Sequence, residues 1–106
     1  MPKLLKDSFN AWINKQPIGK PKLIVTGQVE VPTTGWTGSL ARAAPQGTNP
    51  KILILDARLV KPSGIANPVI SKIEVRYEES PPAVEYSDVT IRLDGDQVTV
   101  GVEIVV

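Results

Sequence analysis

The stretch VTIRLDGDQVTVGVEIVV (residues 89–106) alternates apolar and polar side chains on both sides of its central Asp-Gly-Asp sequence. A period of two is the period of a half-buried β-strand, one face of which packs on the core while the other meets solvent. Aspartate followed by glycine between two such strands is the strongest short-range signal of a β-hairpin. We therefore predict that residues 84–93 pair with residues 97–106 across a turn at residues 94–96.

The same alternation recurs in residues 23–31 and in residues 53–79, where a proline- and glycine-rich break interrupts it. These patterns predict about six strands separated by turn signals every ~10–14 residues. We place the strands at residues 22–31, 36–44, 51–60, 69–79, 84–93 and 97–106. This spacing favours an all-β fold, an immunoglobulin-like antiparallel β-sandwich of about six to seven strands, with a small open barrel as the alternative.

Residues 1–21 form a predicted N-terminal amphipathic segment and linker, which precedes a β-sandwich domain at residues 22–106. Apolar side chains in this segment recur at the spacing of one face of a short helix. They are Leu5, Phe9, Trp12 and Ile13. We therefore expect a short helical or extended segment whose apolar face needs cover. Its own domain, a second copy, another partner or an anionic membrane surface could supply that cover.

The turn signals also predict where the loops lie. If consecutive strands alternate in direction, the loops fall into two groups at opposite ends of the domain. One group holds residues 32–35, 61–68 and 94–96, and the other holds residues 45–50 and 80–83. Within a strand, Gly27 indicates a bulge or a close approach of another part of the chain.

The chain contains neither histidine nor cysteine. This excludes Ser-His-Asp and Cys-His catalysis, and metal sites built on imidazole or thiolate ligands. The remaining route, a glycosidase-like pair of carboxylates, would rest on Asp56 in the most apolar strand. That residue is more simply explained as solvated or paired with arginine, and the acids at residues 88, 94 and 96 are too few for a calcium loop. We therefore predict no enzymatic activity, no cofactor and no bound metal.

The formal net charge of +1 conceals an uneven distribution. Residues 1–61 carry nine Lys and Arg against three acids, whereas residues 62–106 carry three against eight. This asymmetry indicates either a dipolar surface that steers a partner or opposite charges interleaved across paired strands.

Three further partner and location predictions follow from charge and hydropathy. The N-terminal basic group, with two aromatic side chains beside it, is too small for a nucleic-acid stripe, so no nucleic-acid partner is predicted. Its members are Lys3, Lys6, Lys15, Lys20 and Lys22. No apolar run approaches the ~20 residues of a membrane span. With no recognisable signal peptide and no cysteine, a cytoplasmic location is the default expectation.

Self-association is the leading functional hypothesis. Ile52 and Ile54 make the first half of one strand apolar on both faces, which is typical of a strand covered on both sides. The terminal strand is also apolar on both faces at residues 104–106, a liability at a sheet edge. We therefore predict a non-enzymatic self-associating β-sandwich module that forms a homo-oligomer or joins a larger assembly with another protein. Its candidate contacts are Phe9, Trp12, Ile52 and Ile54.

The alternative is a loop-mediated protein-binding module that presents Thr33, Thr34 and Trp36. Residues 31–36 (Val-Pro-Thr-Thr-Gly-Trp) are similar to the Asn-Pro-Thr-Thr-Gly-aromatic loop of the chagasin-like cysteine-protease inhibitors. Those inhibitors are immunoglobulin-like sandwiches, and the resemblance implies that this loop would enter a protease active-site cleft. It covers six residues of the chain, Val31 replaces the asparagine, and the family's glycine-rich second loop and Arg-Pro-Trp third loop have no counterpart here.

Overall fold

The computed structural model describes residues 2–15, 19–64 and 66–105, and within them the chain forms seven strands and no helix. The all-β prediction is confirmed. The strands are β1 (Lys3–Asn14), β2 (Lys22–Val31), β3 (Thr37–Arg42), β4 (Ile52–Val60), β5 (Ser71–Glu79), β6 (Asp88–Leu93) and β7 (Asp96–Val105). Parts of the predicted linker (residues 16–18) and 61–68 loop (Ile65), and the last residue of the predicted terminal strand (Val106), lie outside the described residues.

All seven strands belong to one mixed sheet in the order β3-β4-β6-β7-β1-β2-β5. The pairs β1–β7 and β4–β6 are parallel, and the other neighbours are antiparallel. The sheet curves until its two edge strands meet: a Cβ added to Gly38 of β3 would lie 3.0 Å from Cγ1 of Val75 in β5. The fold is therefore a sheet nearly closed into a barrel, and an immunoglobulin-like antiparallel sandwich is not confirmed.

Of the two predicted forms of the N-terminal segment, helical or extended, the helical one is wrong, because Lys3–Asn14 is the strand β1, between β2 and β7. The misleading spacing comes from a bulge: the register with β2 jumps between Leu5 and Asn10, so that four residues of β1 oppose one residue of β2. Beyond the bulge, Phe9, Ala11 and Ile13 alternate inward as a strand requires. A strand broken by several extra residues can thus imitate the spacing of one helical face.

Two side chains of β1 fill the bulge. The Ser8 hydroxyl accepts a hydrogen bond of 2.8 Å from the Gln28 backbone N–H and donates to the Leu5 carbonyl, which replaces the interrupted ladder. The Phe9 ring lies directly over Gly27, where an added Cβ would overlap it. The predicted close approach at Gly27 is confirmed, since only glycine leaves room for the ring.

The core fills the inside of the barrel and is mainly aliphatic. The period-two predictions are confirmed for β2, β4 and β5, whose alternate side chains face this core. The largest fully buried side chains are Ile13, Leu23, Leu53, Leu55, Ile91, Val25, Val29, Val31, Val75 and Val89. The predicted hairpin is also confirmed: β6 pairs with β7 across Asp94 and Gly95, which have positive φ angles of 47° and 84°, as a type I′ turn requires.

The loops gather at two opposite ends of the barrel, which measures 47 × 31 × 22 Å. The braced end carries residues 32–36, 61–64 and 66–70 together with the 94–95 turn. The recessed end carries residues 43–51 and 80–87, the segment at 19–21, and the last residues of β1 and β7. Antiparallel neighbours run in opposite directions, so the loops that connect them fall at these two ends.

Candidate functional site

The predicted contact residues for self-association do not share one surface. Phe9 is buried inside the barrel and is 5% exposed. Trp12 lies half-buried on the outer face of β1, whereas Ile52 and Ile54 lie half-buried on β4. The strands β6 and β7 stand between β1 and β4 in the sheet. The structure therefore brings Ile52 and Ile54 together but places Trp12 elsewhere on the barrel wall.

Part of the cover expected over β4 comes from the molecule's own loop. The side-chain amide of Gln46 accepts a hydrogen bond from the backbone N–H of Ile54 and donates to its carbonyl, both at 2.9 Å. It also donates to the Ala43 carbonyl at 2.7 Å. Gln46 thus pairs with β4 as a neighbouring strand would, and Gly47 lies against the Ile54 side chain.

Trp12 lines an open groove of about 480 Å³ on the outer face of β1 and its neighbours. The polar side chains of Asn10, Thr26 and Glu103 line the same groove, and Gly101 leaves its floor open. Next to Trp12, Ile24 of β2 is buried although it points outward. Trp12 therefore caps an apolar spot on a wall that is otherwise polar.

The structure brings Thr33, Thr34 and Trp36 together at the braced end. The indole N–H of Trp36 donates a 2.8 Å hydrogen bond to the Thr33 hydroxyl. Thr34 donates its backbone N–H to the Asn67 carbonyl at 3.1 Å, and the Asn67 N–H donates to the Thr34 hydroxyl at 3.3 Å. Gly35, with a φ of 86°, packs closely on Pro62. The loop is therefore fixed before any partner arrives, which lowers the entropy cost of binding.

Sequence reasoning pointed to the apolar strand end at residues 104–106 but missed the other exposed apolar side chains of the described residues. Six large ones are exposed among the described residues, and all of them lie at the two ends: Val60, Val69 and Ile70 at the braced end, and Val84, Ile104 and Val105 at the recessed end. The first three are the most exposed, at 64%, 57% and 69%. In the sequence, these three residues lie beside breaks that contain proline, glycine or asparagine. That position was the available signal, because the alternation of apolar and polar residues no longer predicts burial at the end of a strand.

The recessed end contains a small apolar hollow of about 190 Å³. Its lining is Ile13, Pro21, Pro82, Val84 and the stems of Lys15 and Glu85. The ammonium of Lys15 and the carboxylate of Glu85 lie 2.9 Å apart at the rim. The hydrogen bond from Lys15 lowers the pKa of Glu85, so the rim stays charged at neutral pH.

A second feature of the recessed end is a network around Glu79, which joins the two edge strands. The Glu79 carboxylate accepts hydrogen bonds from Tyr77 and Tyr86 at 2.8 Å, from the Ala83 N–H at 2.7 Å and from Arg42 at 3.1 Å. Because Arg42 belongs to β3 whereas Glu79 belongs to β5, the bond between them crosses the open seam of the barrel. The sequence did contain a signal for this: Glu79 follows Tyr77 by two residues, so both side chains lie on the inward face of β5.

The network shifts the pKa values of its members. Burial by itself raises the pKa of Glu79, but the hydrogen bonds from Ala83, Tyr77 and Tyr86 and the charge of Arg42 outweigh it, so the pKa is lowered. Burial, followed by the bond to the Glu79 carboxylate, raises the pKa of Tyr77 to about 12. Glu79 is therefore a charged hydrogen-bond acceptor whose partners all come from its own chain.

Opposite charges from the two halves of the sequence are interleaved. Lys6 pairs with Asp96 at 3.1 Å and Lys22 with Glu78 at 3.1 Å, as Lys15 and Arg42 pair with acids of the second half. In the reverse sense, Asp56 accepts a 2.9 Å hydrogen bond from Arg92. The interleaved interpretation of the charge asymmetry therefore fits these pairs better than a dipole does.

The next question is whether acidic side chains in the described parts of the chain are arranged for catalysis or for metal binding. Asp56 is paired with Arg92 on adjacent strands. Within residues 2–15, 19–64 and 66–105, no three acidic, histidine or cysteine side chains converge as metal ligands. In those same ranges, no helix has the length and hydrophobicity that a membrane span needs.

Comparisons of the chain with protein-family models, with curated proteins and with solved structures found no match. The resemblance to the chagasin-like loop therefore rests on residues 31–36 alone.

Proposed function

We propose that this chain is a non-enzymatic module that self-associates through the ends of its barrel, with a second copy as its first partner. One observation supports this most strongly: the exposed large apolar side chains of the described residues lie at or beside the ends of the barrel, where Val105, at the end of β7, also lines the groove of Trp12. Exposed apolar groups confined to particular surfaces are typical of interaction sites. The wall carries charged side chains that pair within the molecule.

The proposed association is weak for physical reasons. Complete burial of one valine or isoleucine side chain contributes about 1.5–3 kcal/mol, whereas association costs about 4–15 kcal/mol in lost freedom. We therefore expect dissociation constants of roughly micromolar to millimolar.

A non-enzymatic role is supported by the residues that would have to do chemistry. The chain has no histidine and no cysteine. Its most elaborate polar group, Glu79, has its two oxygens engaged by four donors of its own chain. A carboxylate held in this way stabilises the seam of the barrel and is not free to move a proton for a substrate.

The test is the mass in solution as a function of concentration, measured by light scattering on a sizing column. We expect the mass of the wild-type chain to rise above 11.4 kDa with concentration, and to rise further in sodium sulfate, because that salt strengthens apolar contacts. The double variant V69S/I70S should remain monomeric. A wild-type chain that stays monomeric at millimolar concentration would refute self-association.

Wall variants provide the control and test the surface predicted from the sequence. Trp12→Ser and Ile54→Ser remove apolar groups of the wall, and on this proposal they leave the concentration dependence unchanged. If these variants abolish association while V69S/I70S does not, the contact lies on the wall, where the sequence analysis placed it.

A second candidate function is binding of an external protein through the fixed loop at residues 32–36. The reciprocal bonds between Thr34 and Asn67 support it, because they present the loop in one conformation. Its most specific form is inhibition of papain-like cysteine proteases. We expect such inhibition to weaken in the variant Thr33→Ala, and papain activity that is unaffected by a molar excess of the protein would exclude it.

A further inference from the structure

The two ends of the barrel differ in shape. At the braced end, Val60, Val69 and Ile70 protrude, and each is more than half exposed. At the recessed end, Ile13, Pro21, Pro82 and Val84 surround a hollow instead. The protruding and the receding apolar surfaces lie at opposite ends of the barrel.

We infer that copies of this chain join head to tail, the braced end of one copy entering the hollow of the next. This inference rests on the proposed self-association and specifies its geometry. The hollow of about 190 Å³ exceeds the ~150 Å³ that accommodates a benzene molecule in a protein cavity. It therefore has room for one aliphatic side chain, and Ile70, the most exposed of the three, is the one that the geometry offers.

The rim of the hollow favours an uncharged guest. Lys15 and Glu85 already neutralise each other there, so a charged side chain would have to compete with an existing pair. Val69 and Ile70 bring no charge, and two neighbouring polar groups, the Asn67 backbone N–H and the Ser71 hydroxyl, are engaged in hydrogen bonds with Thr34 and Val69. The two surfaces thus match in polarity as well as in shape.

Contact between two different surfaces has a consequence for assembly. Because each copy uses one end and leaves the other free, addition continues at both ends of the chain of subunits. An open linear series or a closed ring results, depending on the rotation between neighbours. Contact between two like ends would instead stop at a dimer and would leave the hollow empty.

The deciding experiment mixes two variants that each lack one end. V69S/I70S removes the protruding surface, and Val84→Ser removes a wall of the hollow. Far-UV circular dichroism and the midpoint of urea unfolding establish that both variants are folded. We expect each variant alone to be monomeric, and the equimolar mixture to form a species of twice the monomer mass and nothing larger, because only one intact pair of ends is available.

The possible outcomes separate this inference from the proposed function. If the wild-type chain associates but Val84→Ser alone forms dimers as readily, like ends join and the head-to-tail geometry is wrong. If both variants associate as the wild type does, neither end is the contact. A wild-type monomer overturns the self-association itself.

A measurement without variants checks the same geometry. In a dilution series followed by ¹H–¹⁵N correlation spectra, head-to-tail contact shifts amide signals of both ends together, around Ile70 and around Val84. Shifts confined to one end indicate contact between like ends. Shifts centred on Trp12 or Ile54 indicate a wall contact, and either result would reject the inference.

Discussion

At the braced end of the barrel, two loops are joined by uncharged groups, whereas at the recessed end two edge strands are joined through a carboxylate and a guanidinium. The bonds between Thr34 and Asn67 do not change with pH. Those that Glu79 receives from Arg42 and Tyr77 depend on the ionisation of each partner. Stability and the proposed self-association can therefore be tested separately, because the protruding side chains stand on the end with the smaller share of charged bonds.

The largest effect is expected at the recessed end, from Glu79→Gln. The glutamine keeps the shape but replaces one acceptor oxygen with an NH₂ group that faces tyrosine and arginine donors. Hydrogen bonds to a charged group each contribute about 1.5–3 kcal/mol, so we expect unfolding in urea to show a loss of about 2–3 kcal/mol. Glu74→Gln, on the exposed outer face of the same strand, is the matched control and should change stability by less than about 0.5 kcal/mol. Equal losses would mean that the network does not close the seam.

The pH dependence of stability is the next contrast. The pKa of Tyr77 is raised to about 12 in the folded chain from an unperturbed value of about 10. A raised pKa means that the neutral phenol is favoured by folding, so its contribution is complete below pH ~10 and is lost as the pH rises towards 12. Thermal unfolding between pH 9 and pH 12 should therefore show a steeper loss for the wild type than for Tyr77→Phe. Parallel profiles would exclude Tyr77 as the source.

The same network should also lose stability in acid, through the protonation of Glu79. The lowered pKa of Glu79 means that its contribution is present above the unfolded pKa of about 4.3 and is lost as the pH falls through the folded value. The variant Glu79→Gln should therefore lose less stability on acidification than the wild type does. Thr34→Val, at the braced end, should follow the wild-type acid profile.

The sequence could predict those parts of the fold that depend on local patterns. Wherever one face of a strand is turned to the core along its whole length, as in β2 and β5, the period of two locates the strand and its inward side chains. The hairpin followed from the Asp-Gly turn, and the close approach followed from Gly27. These are local signals, which depend on near neighbours in the chain.

Features of the fold that depend on contacts between distant parts of the chain could not be predicted from the sequence. Side-chain periodicity does not specify which strands pair, so the parallel neighbours of β1 and β4 and the near closure of the barrel could not be predicted. The bulge in β1 replaced the period of two with a helical spacing and produced a wrong helix. Most of the candidate contact residues are apolar, and apolar character alone is a weak criterion for a contact surface. Phe9 shows why: an apolar side chain on a strand more often lies in the core than on an interaction surface.

A smaller effect on stability is expected at the braced end, from Thr34→Val. This change removes the hydroxyl that accepts from the Asn67 N–H and keeps the shape of the side chain. The loss of one neutral hydrogen bond costs about 0.5–1.5 kcal/mol, and the loops should also become more susceptible to proteolysis between residues 61 and 70. Thr37→Val, an exposed threonine at the start of β3, is the control and should change neither quantity. If Thr34→Val and Thr37→Val behave alike, the loops are not held by this pair.

The smallest effect on folding is expected from Ile70→Ser. Because this variant hardly changes stability, it tests association separately from folding. Ile70 is 69% exposed, so its replacement should change the free energy of unfolding of the monomer by no more than about 0.5 kcal/mol. The concentration dependence of the mass in solution should nevertheless fall, because the side chain contributes to the contact and hardly to the core. Glu79→Gln should show the reverse, with a less stable fold and, at temperatures where it stays folded, undiminished entry of Ile70 into the hollow. If Ile70→Ser lowers stability and association in proportion, the two properties share one surface, and the distinction between the ends of the barrel fails.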